Sequence, residues 1–216
     1  MSTSGTFCVF AKRPVPGRVK TRLAQTVGQV CAAEMATALL RDTVEGLEAL
    51  GVRVVLATTD GEMRFPWTSR PCWDQGVGDL GARIERILTR ALDLGPWAVA
   101  MGADSPGISA VALQRAVALL DAGRDVWMPA EDGGFVLMGL HRCPPGLLAD
   151  LPWSQSDTGE RTLARLRAVL GAQVALEAGF DVDTEADLHH FMREVPERAA
   201  PHTWAAIRHW GLRLPS

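Results

Sequence analysis

The feature that most constrains the fold of this chain is the alternation of short apolar runs with longer amphipathic segments. The short runs are rich in strand-forming residues and apolar along their whole length, which is typical of strands buried on both faces. The longer segments repeat apolar residues at spacings of three and four, the period of a helix packed on one side. We therefore predict an α/β protein with a parallel or mostly parallel sheet covered by helices on both faces.

The predicted strands and helices alternate over most of the chain. Strands are predicted at residues 6–11, 52–57, 97–101, 126–130 and 135–140, and near residue 174. Helices are predicted at residues 29–50, 80–94, 110–122, 158–170 and 185–193. No internal repeat or long linker divides the chain, so residues 1–216 are expected to form a single domain.

The composition argues against several classes of protein. The 22 lysines and arginines nearly balance the 25 aspartates and glutamates, so the broad basic face of a nucleic-acid-binding protein is not expected. No apolar stretch approaches the roughly 20 residues that cross a bilayer, and the first residues do not resemble a signal peptide. We expect a cytoplasmic protein without membrane contact, and the widely spaced cysteines are not expected to bind a metal.

A cluster of positive charge directly follows the first predicted strand. It consists of Lys12, Arg13, Arg18, Lys20 and Arg22 and is interrupted by two prolines, which stiffen the loop. Ligands of open α/β sheets bind beyond the carboxyl ends of the strands, where cationic side chains can hold phosphate. The spacing is not that of a P-loop. We predict a phosphate or pyrophosphate site here, and the alternative is a solvated basic surface loop.

Acidic residues follow later predicted strands. Asp104 has small neighbours that leave its carboxylate accessible, and hard oxygen ligands beside a phosphate favour Mg²⁺ or Mn²⁺, although a turn cap is the alternative. Asp181 and Asp183 would share one side of an extended segment. The pattern of Thr184 and Asp187 predicts a capping box at the start of the next helix, which leaves the two preceding aspartates without a structural explanation.

Two glycine-containing turns allow both a structural and a functional interpretation. Asp132 lies between two predicted strands, where Asp-Gly suits a hairpin turn, but it could also act as a base or contact a substrate. Residues 76–81 match the dinucleotide pattern G-x-G-x-x-G, yet residues 70–75 before them make a poor buried strand. A turn in which Asp79 caps the following helix is therefore favoured over a nicotinamide or flavin site.

Five segments, in order along the chain, together resemble one family. They are residues 10–23, 75–83, 102–106, 129–140 and 181–188. The chain resembles the DUF2064 group of the nucleotide-diphospho-sugar transferase (GT-A) superfamily, often described as glycosyltransferases of the arsenosugar-biosynthesis type. The resemblance covers nearly the whole chain. It implies a three-layer αβα, Rossmann-like GT-A fold that binds a nucleotide across the carboxyl edge of the sheet.

The resemblance also implies roles for individual residues. Asp104 looks like the metal-binding acid that the superfamily places after its central strand, and Asp183 looks like the second ligand of Mg²⁺ or Mn²⁺. The residues that look like nucleotide or phosphate contacts are Lys12, Arg18, Lys20, Arg22, Gln75 and Asp79. Of these, Gln75 and Asp79 would lie near the base or ribose.

We therefore predict a metal-dependent glycosyltransferase that uses a nucleoside-diphosphate sugar and a small-molecule acceptor. Asp104 would hold the metal, the basic loop would offset charge on the leaving diphosphate, and Asp132 would activate the acceptor. Since guanylyltransferases acting on phospholactate carry a similar K-x-R-L element, a nucleotidyltransferase (a guanylyl- or cytidylyltransferase of a small phosphorylated substrate) is the first alternative. A nucleotide-binding regulatory protein without turnover is the second.

The last predicted feature is an apolar stripe near the C-terminus. Trp204, Ile207 and Trp210 recur at helical spacing. We expect this stripe to pack into the core, and the alternative is a contact with a second copy of the chain in a homodimer.

Overall fold

One mostly parallel, seven-stranded sheet organises this protein, and the computed structural model describes residues 5–59, 61 and 64–214. In chain order the strands are β1 (Thr6–Ala11), β2 (Arg53–Thr58), β3 (Cys72–Asp74), β4 (Ala98–Gly102), β5 (Val126–Pro129), β6 (Phe135–Leu140) and β7 (Val174–Ala175). Their spatial order is β3-β2-β1-β4-β6-β5-β7. β6 runs antiparallel to β4 and β5, and the other paired strands are parallel. The predicted α/β class is confirmed.

Helices cover both faces of the sheet. They are α1 (Ala24–Val27), α2 (Gln29–Ala49), α3 (Leu80–Leu92), α4 (Ala110–Asp121), α5 (Thr158–Leu170), α6 (Glu185–Glu194) and α7 (Pro201–His209). Successive side chains of β1 enter different apolar clusters, because side chains alternate across a strand. Phe7 and Val9 pack with α2 and α4, whereas Cys8 packs with α3 and α5. This arrangement is the predicted three-layer αβα fold. Of the helices in the described part of the chain, none has the length and apolar character needed to cross a bilayer.

Residues 70–75, expected to make a poor buried strand, contain the short edge strand β3. Cys72–Asp74 pairs in parallel with the last residues of β2, and Trp73 is buried beneath α3 while Asp74 is exposed. An edge strand needs only one ladder partner and buries little, so its short, mixed sequence lacks the continuous apolar signal of a central strand.

The C-terminal stripe packs into a third apolar cluster. Ile207 on α7 is buried with Leu23, Met35 and Phe191, and Trp204 packs against the same group. Trp210 lies at the end of the stripe, 38% exposed, and its indole N–H donates to Glu34. The expected core packing therefore holds for the first two stripe residues.

A remote carboxylate caps α7, which has no capping side chain of its own. Asp42 on α2 accepts from the backbone N–H groups of His202 and Thr203 at 3.0 and 2.7 Å, and from the Thr203 hydroxyl at 2.7 Å. We expect Asp42→Ala to lower the free energy of unfolding by about 2 kcal/mol, because it leaves buried donors without a partner. Asp42→Asn keeps one acceptor and should lose less. Equal urea midpoints for the wild type and the alanine variant would contradict this role.

Candidate functional site

A cavity of about 390 Å³ opens at the carboxyl ends of β1, β2 and β4. These strands are parallel, so the residues after each of them meet at one edge of the sheet. The predicted site residues that line the cavity are Lys12, Arg18, Lys20, Arg22, Gln75, Asp104 and Asp183. The structure thus brings the predicted basic loop and the two predicted metal ligands together.

The basic loop is held in place by one apolar residue between its charges and one directly after them. Val19 and Leu23 are buried, and Leu23 belongs to the apolar cluster formed with α2 and α6. Lys20 has a φ of +46°, a left-handed conformation that residues other than glycine seldom adopt. Such strained backbone is retained where the surrounding structure enforces it. The result is that Lys20 turns inward, while Arg18 and Arg22 stay exposed at the cavity.

Lys20 forms an ion pair with both predicted metal ligands. Its Nζ lies 2.5 Å from Oδ2 of Asp104 and 2.6 Å from Oδ1 of Asp183. The lysine side chain is only 8% exposed, against 28% for Asp104 and 47% for Asp183. Burial alone would lower the pKa of the Lys20 ammonium, but the two carboxylates outweigh burial and raise it overall. Lys20 is therefore a charged, buried counterion of the acid pair.

Asp181 is a third carboxyl group beside this pair. It accepts a short hydrogen bond from the Ser105 hydroxyl. Burial raises the pKa of Asp181 to about 7, and the nearby charges of Asp104 and Asp132 act in the same direction. The Ser105 hydrogen bond and Lys20 oppose this increase. The single positive charge of Lys20 is therefore too small to neutralise all the carboxyl groups of this cluster when they are ionised.

The raised pKa of Asp181 predicts a pH-dependent effect on stability. The pKa of Asp181 is near 3.8 in the unfolded chain and near 7 in the folded protein. At pH 3 the carboxyl is protonated in both states and does not affect the free energy of unfolding, whereas above pH 7 its ionisation destabilises the folded state most. In EDTA we expect Asp181→Asn, which can still accept from Ser105, to raise the melting temperature at pH 8. The gain corresponds to at most about 4 kcal/mol. It should vanish near pH 4, and a gain that is the same at both pH values would contradict the assignment.

The donor chemistry of the acid pair fits a divalent cation. Asp104 and Asp183 offer hard carboxylate oxygens on the cavity wall, and Mg²⁺ usually combines one or two carboxylates with phosphate oxygens and water. Within residues 5–59, 61 and 64–214, no three or more histidine, cysteine, aspartate or glutamate side chains are arranged so that they could together hold one metal ion. An ion held by this pair would therefore complete its coordination with oxygens from a bound ligand or water.

The two residues predicted near the base or ribose have different environments. Gln75 is buried in the cavity wall, and its Nε2 donates to the carbonyl of Ala57 at 2.8 Å. Asp79 does not line the cavity, and its Oδ1 accepts from the N–H of Ala82 at 2.9 Å, so it caps α3. The structural interpretation of Asp79 is thus confirmed, whereas the position of Gln75 agrees with a ligand contact.

Asp132 lies outside the cavity, on the exposed turn between β5 and β6. Its Oδ1 accepts from the N–H of Gly134 at 2.9 Å, as in an Asx turn. Its charge nevertheless contributes to the raised pKa of Asp181, which places it near the acid cluster. Gly133, at a φ of +90°, leaves no space for a Cβ because the Ser156 carbonyl packs against it. This glycine is required by packing between two segments of the protein.

Arg83 is a cavity residue that the sequence reasoning did not select. It lies on the first turns of α3, and its Nε donates to the carbonyl of Gly78 at 2.9 Å. A cation near a helix N-terminus opposes the helix dipole. That unfavourable position is the signal in the sequence that could have marked Arg83 as a candidate ligand contact.

The comparisons with known proteins agree with this architecture. The fold matches that of a Desulfovibrio desulfuricans G20 protein provisionally named a nucleotide-diphospho-sugar transferase. The match covers 97% of this chain and 99% of that protein, with 28% identity and a TM-score of 0.80. Rv0371c from Mycobacterium tuberculosis H37Rv matches with 20% identity and a TM-score of 0.58, over 89% of this chain and 100% of its own. The homologue of Rv0371c from Mycobacterium sp. strain JC1 is 17% identical to this chain, with a TM-score of 0.53, and the match covers 94% of this chain and 97% of the homologue.

Sequence comparison gives one family match. Residues 42–155, more than half of the chain, match the family described as "Uncharacterized protein conserved in bacteria (DUF2064)". No curated protein matches the sequence. The fold and the resemblance predicted from the five motifs are therefore confirmed.

Proposed function

Because this chain belongs to the DUF2064 family, we propose that it is a metal-dependent glycosyltransferase that takes a nucleoside-diphosphate sugar as donor. The observation that carries the proposal is the meeting of the basic loop with Asp104 and Asp183 on one cavity at the carboxyl edge of the sheet. The whole-length likeness to the Desulfovibrio protein supports the transferase class. The donor's diphosphate would lie between the cationic loop and the acid pair.

The cavity residues and Asp132, on the turn outside the cavity, would have different roles in glycosyl transfer. Lys12, Arg18 and Arg22 would bind the diphosphate and offset the negative charge that grows on it as its bond to the sugar breaks. Asp104 and Asp183 would hold Mg²⁺ or Mn²⁺, whose charge would further stabilise the leaving group. Asp132 would accept the proton of the acceptor hydroxyl as its oxygen bonds to the anomeric carbon.

A nucleotidyltransferase is the second candidate, and the charge of the cavity favours it. Among the residues that the structure describes, five cationic and two carboxylate side chains line the cavity, with Arg83 adding to the predicted loop residues. A triphosphate carries more negative charge than the diphosphate of a sugar nucleotide, so this excess of cations suits a nucleoside triphosphate. In that reaction the phosphate of a small acceptor would attack the α-phosphorus and pyrophosphate would leave.

The products distinguish these functions. The protein is first screened by thermal shift against nucleoside triphosphates and nucleoside-diphosphate sugars, with and without Mn²⁺, because ligands of the folded state raise its melting temperature. The ligands that bind are then incubated with pooled small-molecule acceptors. Free nucleoside diphosphate supports glycosyl transfer, and pyrophosphate supports nucleotidyl transfer. Binding without either product would contradict both and favour a nucleotide-binding regulatory protein.

A further inference from the structure

Lys20 occupies the place between the two carboxylates where a divalent cation would bind. We propose that Lys20 is the cation that pairs with Asp104 and Asp183 before a metal ion binds. The incoming metal ion displaces the Lys20 ammonium, which then binds the substrate's phosphate. The inference rests on the proposed metal and phosphate site and extends it to the order and coupling of binding. It makes the metal and the phosphate ligand mutually dependent.

The contacts of Lys20 show that the ammonium and a metal ion compete for the same oxygens. Nζ contacts one oxygen each of Asp104 and Asp183, at 2.5 and 2.6 Å. All three residues line the cavity, and the two carboxylates are more exposed than the lysine, so a cation that enters the cavity can reach them. A divalent ion bound to both carboxylates would lie a few ångströms from Nζ, where like charges repel strongly in a partly buried site. Binding of the Lys20 ammonium and of a divalent ion to the same two carboxylates is therefore energetically unfavourable.

The backbone of Lys20 is held, so only its side chain can make the exchange. The carbonyl of Lys20 accepts from the N–H of Ala24 at 2.8 Å, and the neighbouring Val19 is buried. The flexible lysine chain lines the same cavity as Arg18 and Arg22, so a phosphate bound by these arginines is within its reach. A metal ion that expels the ammonium thus makes it available to the phosphate, and by linkage the phosphate favours metal binding equally.

Mn²⁺ binding without any nucleotide tests this proposal, with free Mn²⁺ measured by electron paramagnetic resonance. Removing the competing charge in Lys20→Met should tighten Mn²⁺ binding about tenfold or more relative to the wild type. Lys20→Arg retains a cation and should bind Mn²⁺ no more tightly than the wild type. Lys12→Met removes an exposed charge from the same cavity and should change Mn²⁺ affinity by less than about threefold, because exposed charges are screened.

The result that overturns the proposal is equal or weaker Mn²⁺ binding by Lys20→Met. If that variant is unstable without metal, the melting temperature replaces the titration: Mn²⁺ should raise it more in Lys20→Met than in the wild type. If Lys20→Met and the wild type bind Mn²⁺ equally and the wild type releases nucleotide product, the proposed function stands and only the displacement of Lys20 is rejected. Absence of Mn²⁺ binding in all variants rejects the metal site itself, and the displacement with it.

Discussion

Replacing Asp104 by asparagine is expected to lower the metal-dependent release of nucleotide product by about a thousandfold, with the fold intact. Asparagine has the same shape but lacks the negative charge that attracts a divalent ion. Asp104 follows the central strand β4, and Lys20 would keep its second partner, Asp183, in the variant. Initial rates over a Mn²⁺ titration measure the loss, and the melting temperature checks the fold.

Asp93→Asn is the matched control for this variant. Asp93 is exposed at the C-terminal end of α3, away from the cavity. Its replacement by asparagine makes the same change from acid to amide. It should keep the wild-type rate. A folded Asp104→Asn protein with wild-type turnover would show that this carboxylate does not serve the reaction.

The second large effect is expected from the basic loop. Replacing both Arg18 and Arg22 by alanine should weaken the binding of a nucleoside diphosphate by about a hundredfold, because each charged hydrogen bond to phosphate contributes about 1.5 kcal/mol or more. Both side chains are exposed and line the cavity, so the substitutions should not disturb the core. Calorimetry with UDP and with GDP, in the presence of Mn²⁺, measures the change for whichever nucleotide the wild type binds.

Arg13→Ala controls for the general charge of the loop. Arg13 belongs to the same cluster of positive charge but does not line the cavity. Its loss should leave affinity within about twofold of the wild type at moderate salt, since screening limits long-range effects. Equal losses in the Arg13 variant and the double variant would mean that the loop acts only through its net charge.

The regular elements could be predicted because their signal is local. The apolar run that forms β1 and the helical periodicity of α2 are properties of neighbouring residues. The caps of α4 and α6 behave in the same way: Ser109 accepts from the N–H of Ala112, and Thr184 with Asp187 forms the predicted capping box. These features depend on spacings of a few residues, which the sequence displays directly.

Several features of the site depend on contacts across the fold. The cap of α7 comes from Asp42, whose partners lie about 160 residues later in the chain. Arg83 reaches the cavity because α3 packs beside β1. Lys20 could be selected as a phosphate contact, but its pairing with Asp104 and Asp183 joins residues separated by 84 and 163 positions. No local pattern encodes such pairs.

By itself the sequence determined the αβα architecture and the chemical types of residue that follow each strand, because periodicity and strand ends are local properties. The tertiary structure alone decided which of these charges meet. The parallel strands bring the basic loop and two aspartates to one edge, while Asp79 is used as a helix cap and Asp132 stays on an exposed turn. It also decided that the acid pair holds a buried lysine, because an ammonium that is only 8% exposed requires nearby negative charge.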